Sequence, residues 1–270
     1  MILKYIIKIL MISCAFIILS VMSNTFIYYI PFIFIHEITH CLTAVLLGYS
    51  VKKIGMLPFG IYASFNEEFI NPLDDIIITL SGPLINFIFF ILFSMISREG
   101  FLAQINLILC IFNLLPAGIL DGGRILKNVL KIHLSYYSAY YISNINGIIL
   151  GCLVLLASVF VPLSFKNIIL FIMGISFIYN GYRLQKSIII NITQDLLSKD
   201  LYLLRKKKRK NYSICITRDC KLIKVIRHFC FGKNHTIYVN IYGKSDRIFS
   251  EKEIANAYLS YGNIMISQIL

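Results

Sequence analysis

Long apolar stretches separated by short polar ones occupy the first two thirds of the chain. A helix needs about 20 residues to cross a bilayer, and six stretches have that length or nearly so: 6–22, 26–47, 73–96, 101–115, 139–161 and 168–190. Between the second and third, apolar and polar residues alternate around Gly55 and Gly60, which predicts one or two short strands or a hairpin at the membrane edge. The pattern predicts an α-helical polytopic membrane protein with six transmembrane helices, the first retained and not removed as a signal peptide.

The pattern changes near residue 210, where apolar residues take strand-like and helix-like spacings in turn. Ser250 and Glu253 have the spacing of a capping box, which predicts the start of a helix. The tail is therefore expected to follow a β-α-β-α order in the segments 213–217, 219–231, 235–242 and 250–261. We predict a membrane domain (1–195), a basic linker (196–211) and a small cytosolic α/β domain (212–270).

Composition and charge agree with a membrane protein. Hydrophobic residues make up 58% of the 270 residues and charged residues 14%, whereas a soluble domain averages about 25% charged. The formal net charge is +13, and much of the excess lies beside apolar stretches and in the run 205–210. Such positions favour attraction to an anionic leaflet over binding of nucleic acid. Because basic loops stay in the cytosol, we expect a multi-pass protein with both termini and the C-terminal domain cytosolic.

The second apolar stretch contains the sequence His36-Glu37-Ile38-Thr39-His40. Two histidines four residues apart lie on one face of a helix and can bind one metal ion. A glutamate beside the first histidine is positioned to act as a base toward a water activated by the metal. Because ionisable groups at membrane depth are costly, the motif predicts one zinc per chain with Glu37 as the catalytic residue. The alternative is a pair of buried histidines bonded to backbone.

A catalytic zinc usually takes three protein ligands, so a third is needed. Asp121 has the best context, because Pro116, Gly118 and Gly122 interrupt the helix around it. Non-helical backbone at membrane depth is tolerated where it lines a protein cavity, and a carboxylate there can reach a metal. The alternative is that Asp121 caps the short helix that follows.

Asn86 and Asn113 lie within apolar stretches, where a buried amide needs partners. Asn113 either holds an extended substrate backbone or makes a helix–helix hydrogen bond. Asn86 follows Ser81-Gly82-Pro83, a group of small residues and proline at which helices pack closely. It either packs there or lines the cavity.

These motifs resemble those of the site-2 protease family, the intramembrane zinc metalloproteases of the peptidase M50 type. The resemblance rests on the motifs at 36–40, 81–83 and 113–123 and covers about the first 190 residues. It implies a zinc metalloendopeptidase in which His36, His40 and Asp121 bind zinc, Glu37 is catalytic and Asn113 contacts the substrate.

Six spans followed by one small domain resemble the branch of this family that acts in sporulation, as does the stretch 56–60, Met-Leu-Pro-Phe-Gly. The resemblance implies cleavage of a membrane-associated pro-protein, a pro-sigma factor, and raises inhibitory membrane proteins as partners. The tail resembles a CBS domain, a β-α-β-β-α module that often senses adenine nucleotides. With a single copy, an ATP site would need a homo-oligomer or the substrate to complete it.

A membrane metal or ion transporter is the alternative function. A transporter needs a polar path across the bilayer and is often built from repeated halves. The fifth and sixth apolar stretches are nearly free of ionisable residues, and no internal repeat is visible. The sequence therefore favours the protease.

Overall fold

The computed structural model of the chain describes residues 28–49, 51–57, 60–65, 71–96, 100–160, 165–203, 210–241 and 244–269. The first predicted span and most of the basic run lie outside these residues. The chain divides into two compact units. The first contains Met1–Glu67 and Asp74–Leu115, and the second contains Glu68–Leu73 and Pro116–Leu270.

The described part of the first unit consists of three helices and a hairpin. These elements are α1 (Tyr29–Leu46), β1 (Val51–Leu57), β2 (Gly60–Phe65), α2 (Pro72–Ile96, in this unit from Asp74 onward) and α3 (Phe101–Asn113). The two strands pair antiparallel, with Leu57 opposite Gly60, so the predicted hairpin is confirmed. Tyr49, just after α1, donates its hydroxyl proton to the Asp74 carboxylate at 2.7 Å. This hydrogen bond ties the end of α1 to the first turn of α2.

An aromatic cluster fixes the three helices of the first unit against one another. Phe32 of α1 is buried with Ile105 and Leu109 of α3. Its ring centroid lies 5.7 Å from those of Phe89 and Phe93 on α2, in edge-to-face arrangements. Such aromatic pairs add about 0.5–1.5 kcal/mol to the free energy of area burial. Because Phe32 precedes His36 by one helical turn, this packing holds the histidine face of α1 against α2.

In the second unit, four helices precede the small domain: α4 (Asp121–His133), α5 (Tyr136–Phe160), α6 (Phe165–Lys186) and α7 (Ile188–Leu203). Helices α5 and α6 approach closely at Gly151, where a Cβ atom would lie 2.8 Å from the Gly174 carbonyl oxygen. Small residues at such crossings allow helices to pack backbone to backbone within a membrane.

Three of the described helices, α1, α2 and α5, are long and apolar enough to cross a membrane, while α3 and the start of α7 are shorter apolar helices. The sixth predicted span, 168–190, is interrupted. At Ser187 both the backbone N–H and the hydroxyl group bond to the Leu184 carbonyl oxygen, which closes a tight turn between α6 and α7. The number of six spans stays a prediction.

The C-terminal segment forms a three-stranded sheet with two helices: β3 (Lys210–Thr217), α8 (Leu222–Ile226), β4 (Lys233–Ile241), β5 (Lys244–Ser250) and α9 (Glu251–Tyr261). Strand β4 is central, parallel to β3 and antiparallel to β5. The capping box is confirmed, since Ser250 Oγ accepts from the Glu253 N–H at 3.2 Å and the Glu253 carboxylate accepts from the Ser250 N–H at 2.7 Å. The β-α-β-α prediction lacks strand β5, because this segment is mostly polar and shows no strand-like run of apolar residues. The assignment to CBS domains stays a prediction.

The small domain shares one hydrophobic core with α5 and α7. Tyr136, Ile192 and Leu196 from these helices are buried together with residues of the domain such as Phe229. The Tyr136 N–H also donates to the Phe229 carbonyl oxygen at 2.9 Å. Helix α7 continues to Leu203, so the first half of the predicted linker is helical. The predicted division of the chain into domains at 195 and 211 stays a prediction.

Candidate metal centre

The two histidines of the motif face one another on α1. Their Nε2 atoms lie 3.1 Å apart, and the ring planes are nearly perpendicular, with centroids 4.7 Å apart. His36 is buried, and His40 is half-buried. The spacing of four residues on a continuous helix thus brings both rings together, as the sequence predicts.

The Nδ1 atom of His40 is held by backbone. It lies 2.7 Å from the Ile78 carbonyl oxygen on α2, with Ser81 Oγ at 3.4 Å. A carbonyl oxygen can only accept, so the proton of His40 is on Nδ1 and its Nε2 atom carries a lone pair. Metal-ligating histidines characteristically donate their other ring N–H to a carbonyl or carboxylate oxygen. The alternative interpretation, a buried histidine bonded to backbone, also expects this contact. The contact therefore does not prevent His40 from binding a metal through Nε2.

The Nδ1 atom of His36 faces a side chain. It lies 3.1 Å from Nδ2 of Asn86, which is completely buried on α2. Within the described residues, Oδ1 of Asn86 has no hydrogen-bond partner. Of the two interpretations for Asn86, packing alone or a position at the site, the contact with His36 favours the second.

Gly82 lies directly beneath both imidazole rings. A Cβ atom at this residue would be 2.4 Å from Cε1 and Nε2 of His40 and 2.7 Å from Cε1 of His36. Only a residue without a side chain allows α2 to approach this closely. The small residues at 81–83 thus permit the histidine face of α1 to pack against α2.

The histidine pair fits a zinc ion. With Zn–N bonds of about 2.05 Å and tetrahedral angles, two ligand nitrogens would lie about 3.3 Å apart, close to the 3.1 Å between the Nε2 atoms. Both Nδ1 atoms are occupied by other groups, so both Nε2 atoms point at the same location. Imidazole nitrogen is a favoured ligand of zinc in proteins.

Glu37 lies on α1 next to His36 and is half-buried. Thr39 donates its hydroxyl proton to the Ile35 carbonyl oxygen of its own helix at 2.7 Å. This bond satisfies a polar group that the apolar surroundings would otherwise penalise. The hydroxyl group of Thr39 is thereby committed to its own helix.

Asp121 is the first residue of α4, in the second unit. The N-cap is Leu120, without a side-chain hydrogen bond, so the alternative of Asp121 as the cap is wrong by one position. A carboxylate in the first helical turn is favoured by the helix dipole. The turn before α4 is tightly folded, since a Cβ atom on Gly123 would lie 2.1 Å from the Ala117 carbonyl oxygen. Asn113 is the last residue of α3, in the first unit, and is half-buried.

Three residues of α2 support the histidines. The sequence marks Gly82 as a point of close packing and Asn86 as a residue that packs or lines the cavity, and it misses Ile78. Ile78, Gly82 and Asn86 follow one another at intervals of four, so they lie on a single face of the helix. This is the same interval as in the histidine pair. Two apolar stretches whose polar or small residues both recur at intervals of four are the sequence signal that could identify these residues.

Comparisons with known proteins show what the chain is similar to. The model of peptidase family M50 matches residues 25–99 and 94–156. The chain is 27% identical to the site-2 protease from Methanocaldococcus jannaschii, whose structure superimposes with a TM-score of 0.51 over 66% of this chain and 88% of that one. The chain belongs to peptidase family M50, the site-2 protease family. Together with the three apolar helices, this makes it an integral membrane protein.

Three relatives add detail. Stage IV sporulation protein FB from Bacillus subtilis is 25% identical over 84% of this chain and 81% of its own length. Zinc metalloprotease MJ0392 from M. jannaschii is 30% identical over 68% of this chain and 58% of its own length. A Synechocystis protein, named provisionally as a zinc metalloprotease, is 32% identical over 35% of this chain. The chain spans only 28% of the length of that protein. The transporter alternative gains no support from these relatives.

Proposed function

We propose that the protein is an intramembrane zinc metalloendopeptidase that cleaves a membrane-associated pro-protein. His36, His40 and Asp121 would hold the zinc ion, and Glu37 would be the catalytic residue. The observation that carries the proposal is the convergence of the two Nε2 atoms, 3.1 Å apart, on a helix apolar enough to cross a membrane. A pair of histidines with only a packing role would not need both Nδ1 atoms engaged and both Nε2 atoms aimed at one location.

The chain's own groups supply the acid–base chemistry of the proposed reaction. When bound, a zinc ion supplies Lewis acidity that activates a water molecule and polarises the scissile carbonyl. Glu37 takes the proton from the water and delivers it to the leaving amine, so one carboxylate serves both proton transfers. Asn113 is proposed to hold the substrate backbone in an extended form near the site. The Ile78 carbonyl oxygen keeps the His40 ring oriented throughout.

The finer proposal concerns the substrate. We infer a pro-sigma factor, supported by the similarity to stage IV sporulation protein FB along 84% of the chain. The relative's name refers to sporulation, and the match extends well beyond the motifs. Six spans, a cytosolic C-terminal domain, inhibitory membrane partners and a homo-oligomer remain parts of this proposal. ATP binding at the tail is not part of this proposal, because neither the described residues nor the relatives support it.

The test is the variant Glu37→Gln in the full chain. The protein would be reconstituted in liposomes with a membrane-tethered pro-protein reporter, and both cleavage and zinc content would be measured. Loss of the base should lower the cleavage rate by about 10²- to 10⁴-fold while zinc content stays unchanged. A matched control is Thr39→Val on the same helix, which removes a hydroxyl group committed to its own helix and should leave cleavage intact. Undiminished cleavage by Glu37→Gln would exclude the mechanism.

The substrate is tested by exchanging the reporter. A tethered pro-sigma factor should be cleaved faster than a tethered protein with an unrelated pro-sequence, because the proposal requires recognition beyond the membrane anchor. Equal rates for both reporters would argue against the pro-sigma substrate and leave the protease assignment standing.

A further inference from the structure

The side chain of Asn86 lies against Nδ1 of His36, with its Nδ2 atom 3.1 Å from the ring nitrogen. It is completely buried on α2. A buried amide costs free energy unless its polar atoms are bonded, and one of its two polar atoms, Oδ1, has no partner among the described residues. Among the described residues, the hydrogen bond of the amide is therefore the one with His36.

Two proton arrangements satisfy this contact. In the first, the Asn86 amide donates to Nδ1 of His36, and the proton of the neutral ring lies on Nε2, the atom that faces His40. In the second, the amide is turned by about 180°, so that Oδ1 accepts a proton from Nδ1. The nitrogen and oxygen of an amide have nearly the same shape, so both arrangements fit the same space.

Only the second arrangement leaves Nε2 of His36 with a lone pair for a metal ion. His40 already has this form, because its Nδ1 proton is donated to the Ile78 carbonyl oxygen at 2.7 Å. A symmetrical ligand pair requires His36 to have an acceptor in the same role. The Oδ1 atom of Asn86 can fill it after the amide turns.

We propose that Asn86 is a positioning residue for the metal centre, which accepts the Nδ1 proton of His36 through Oδ1 and thereby fixes the ring form that binds zinc. The proposal rests on the function proposed above. Acceptors of this kind orient the ligating ring and raise the basicity of its other nitrogen, and their loss weakens metal binding by about 10- to 100-fold.

The substitutions Asn86→Leu and Asn86→Asp distinguish an acceptor role of the Asn86 side chain toward His36 from a donor role. Leucine is similar in size and offers no polar atom, so the variant should bind zinc about 10- to 100-fold more weakly. Aspartate accepts but cannot donate at neutral pH, so Asn86→Asp should keep zinc affinity within a few-fold of the native chain. A donor role predicts the opposite for aspartate, and a packing role predicts no loss for leucine.

Asn106 provides a matched control in the next helix. It is also completely buried, its amide nitrogen donates to the Leu102 carbonyl oxygen at 2.9 Å, and its Oδ1 atom has no partner among the described residues. The variant Asn106→Leu therefore removes a buried amide whose described hydrogen bond is within its own helix. Its zinc affinity should match that of the native chain.

The experiment measures zinc dissociation constants by chelator competition in detergent-solubilised full-length protein, without substrate. Native affinity in Asn86→Leu, or equally weak binding in the aspartate and leucine variants, overturns the proposal. If the leucine variant fails to fold, the aspartate variant alone decides, since acceptor and donor roles predict opposite results. His36→Ala tests the proposed metal centre separately from the role of Asn86. If this variant binds zinc with native affinity, the proposed metal centre itself is wrong.

Discussion

Gly82 of α2 and His40 of α1 are in such close contact that a Cβ atom at residue 82 would overlap the imidazole, at 2.4 Å from Nε2. Real Cβ atoms do not approach other atoms this closely, so Gly82→Ala must push the rings or the helices apart. We expect zinc affinity to fall by at least about 10-fold, comparable with the loss of a supporting residue of the site.

Ser94→Ala is the control for Gly82→Ala. Ser94 is on the same helix, and its hydroxyl group donates to the Phe90 carbonyl oxygen of that helix at 2.7 Å. Both variants are measured by chelator competition for zinc. Native zinc affinity in the Gly82 variant would show that the rings bind metal in a different arrangement from the one described.

Asp121→Ala tests the proposed third ligand. Removing a ligand should weaken zinc binding more than the about 10- to 100-fold expected for a supporting residue. Asp121→Asn keeps the shape and one neutral oxygen, so it should fall between the native chain and the alanine variant. Zinc stoichiometry by elemental analysis and chelator competition measure both. Full stoichiometry and native affinity in Asp121→Ala would assign the third ligand to another residue.

Tyr136→Phe tests the core shared by the small domain with α5 and α7. Tyr136 is completely buried, and its hydroxyl group has no partner among the described residues. Removing an unsatisfied polar atom should leave the free energy of unfolding unchanged or raise it by about 1 kcal/mol. Tyr136→Ala should lower it by about 3–5 kcal/mol, because the ring leaves a cavity.

Both Tyr136 variants are compared with the native chain by thermal unfolding in the same detergent. Equal loss of stability in the two variants would mean that the hydroxyl group, and not the ring, makes the important contact.

Lys131 and Asp195 form an ion pair between α4 and α7, with Nζ and Oδ2 2.5 Å apart, in which the lysine is buried and the aspartate half-buried. Tyr140 also donates to the same carboxylate oxygen at 3.0 Å. Lys131→Met should lower the free energy of unfolding by about 1–3 kcal/mol, because it removes a charged donor from a half-buried carboxylate. The double variant Lys131→Met/Asp195→Leu should recover much of this loss.

A double-mutant cycle of unfolding measures the coupling between the two residues. Additive losses in the single and double variants would mean that the two charges do not depend on one another for stability.

The sequence predicts those features that depend on local spacing. The interval of four between His36 and His40 is enough to place both rings on one face, and Ser250 with Glu253 marks the start of α9. The contact of Asn86 with His36 depends on which turn of α2 meets α1, and local spacing does not determine how two helices pair. The break at Ser187 is hidden for a related reason, since hydropathy continues across a turn that is closed by hydrogen bonds to Leu184.

The fold of the tail depends on the helices before it, because they share one hydrophobic core. Truncation at residue 211 would expose Tyr136, Ile192 and Leu196 to water and would remove the acceptor that Phe229 provides for the Tyr136 N–H. A shortened chain therefore reports on damage to α5 and α7 as well as on loss of the tail. Displacement of the tail would also disturb α5, whose Ser143 hydroxyl group donates to the Gly123 carbonyl oxygen at 3.1 Å. Because Gly123 is two residues from Asp121, movement of α5 would be transmitted to the Asp121 carboxylate.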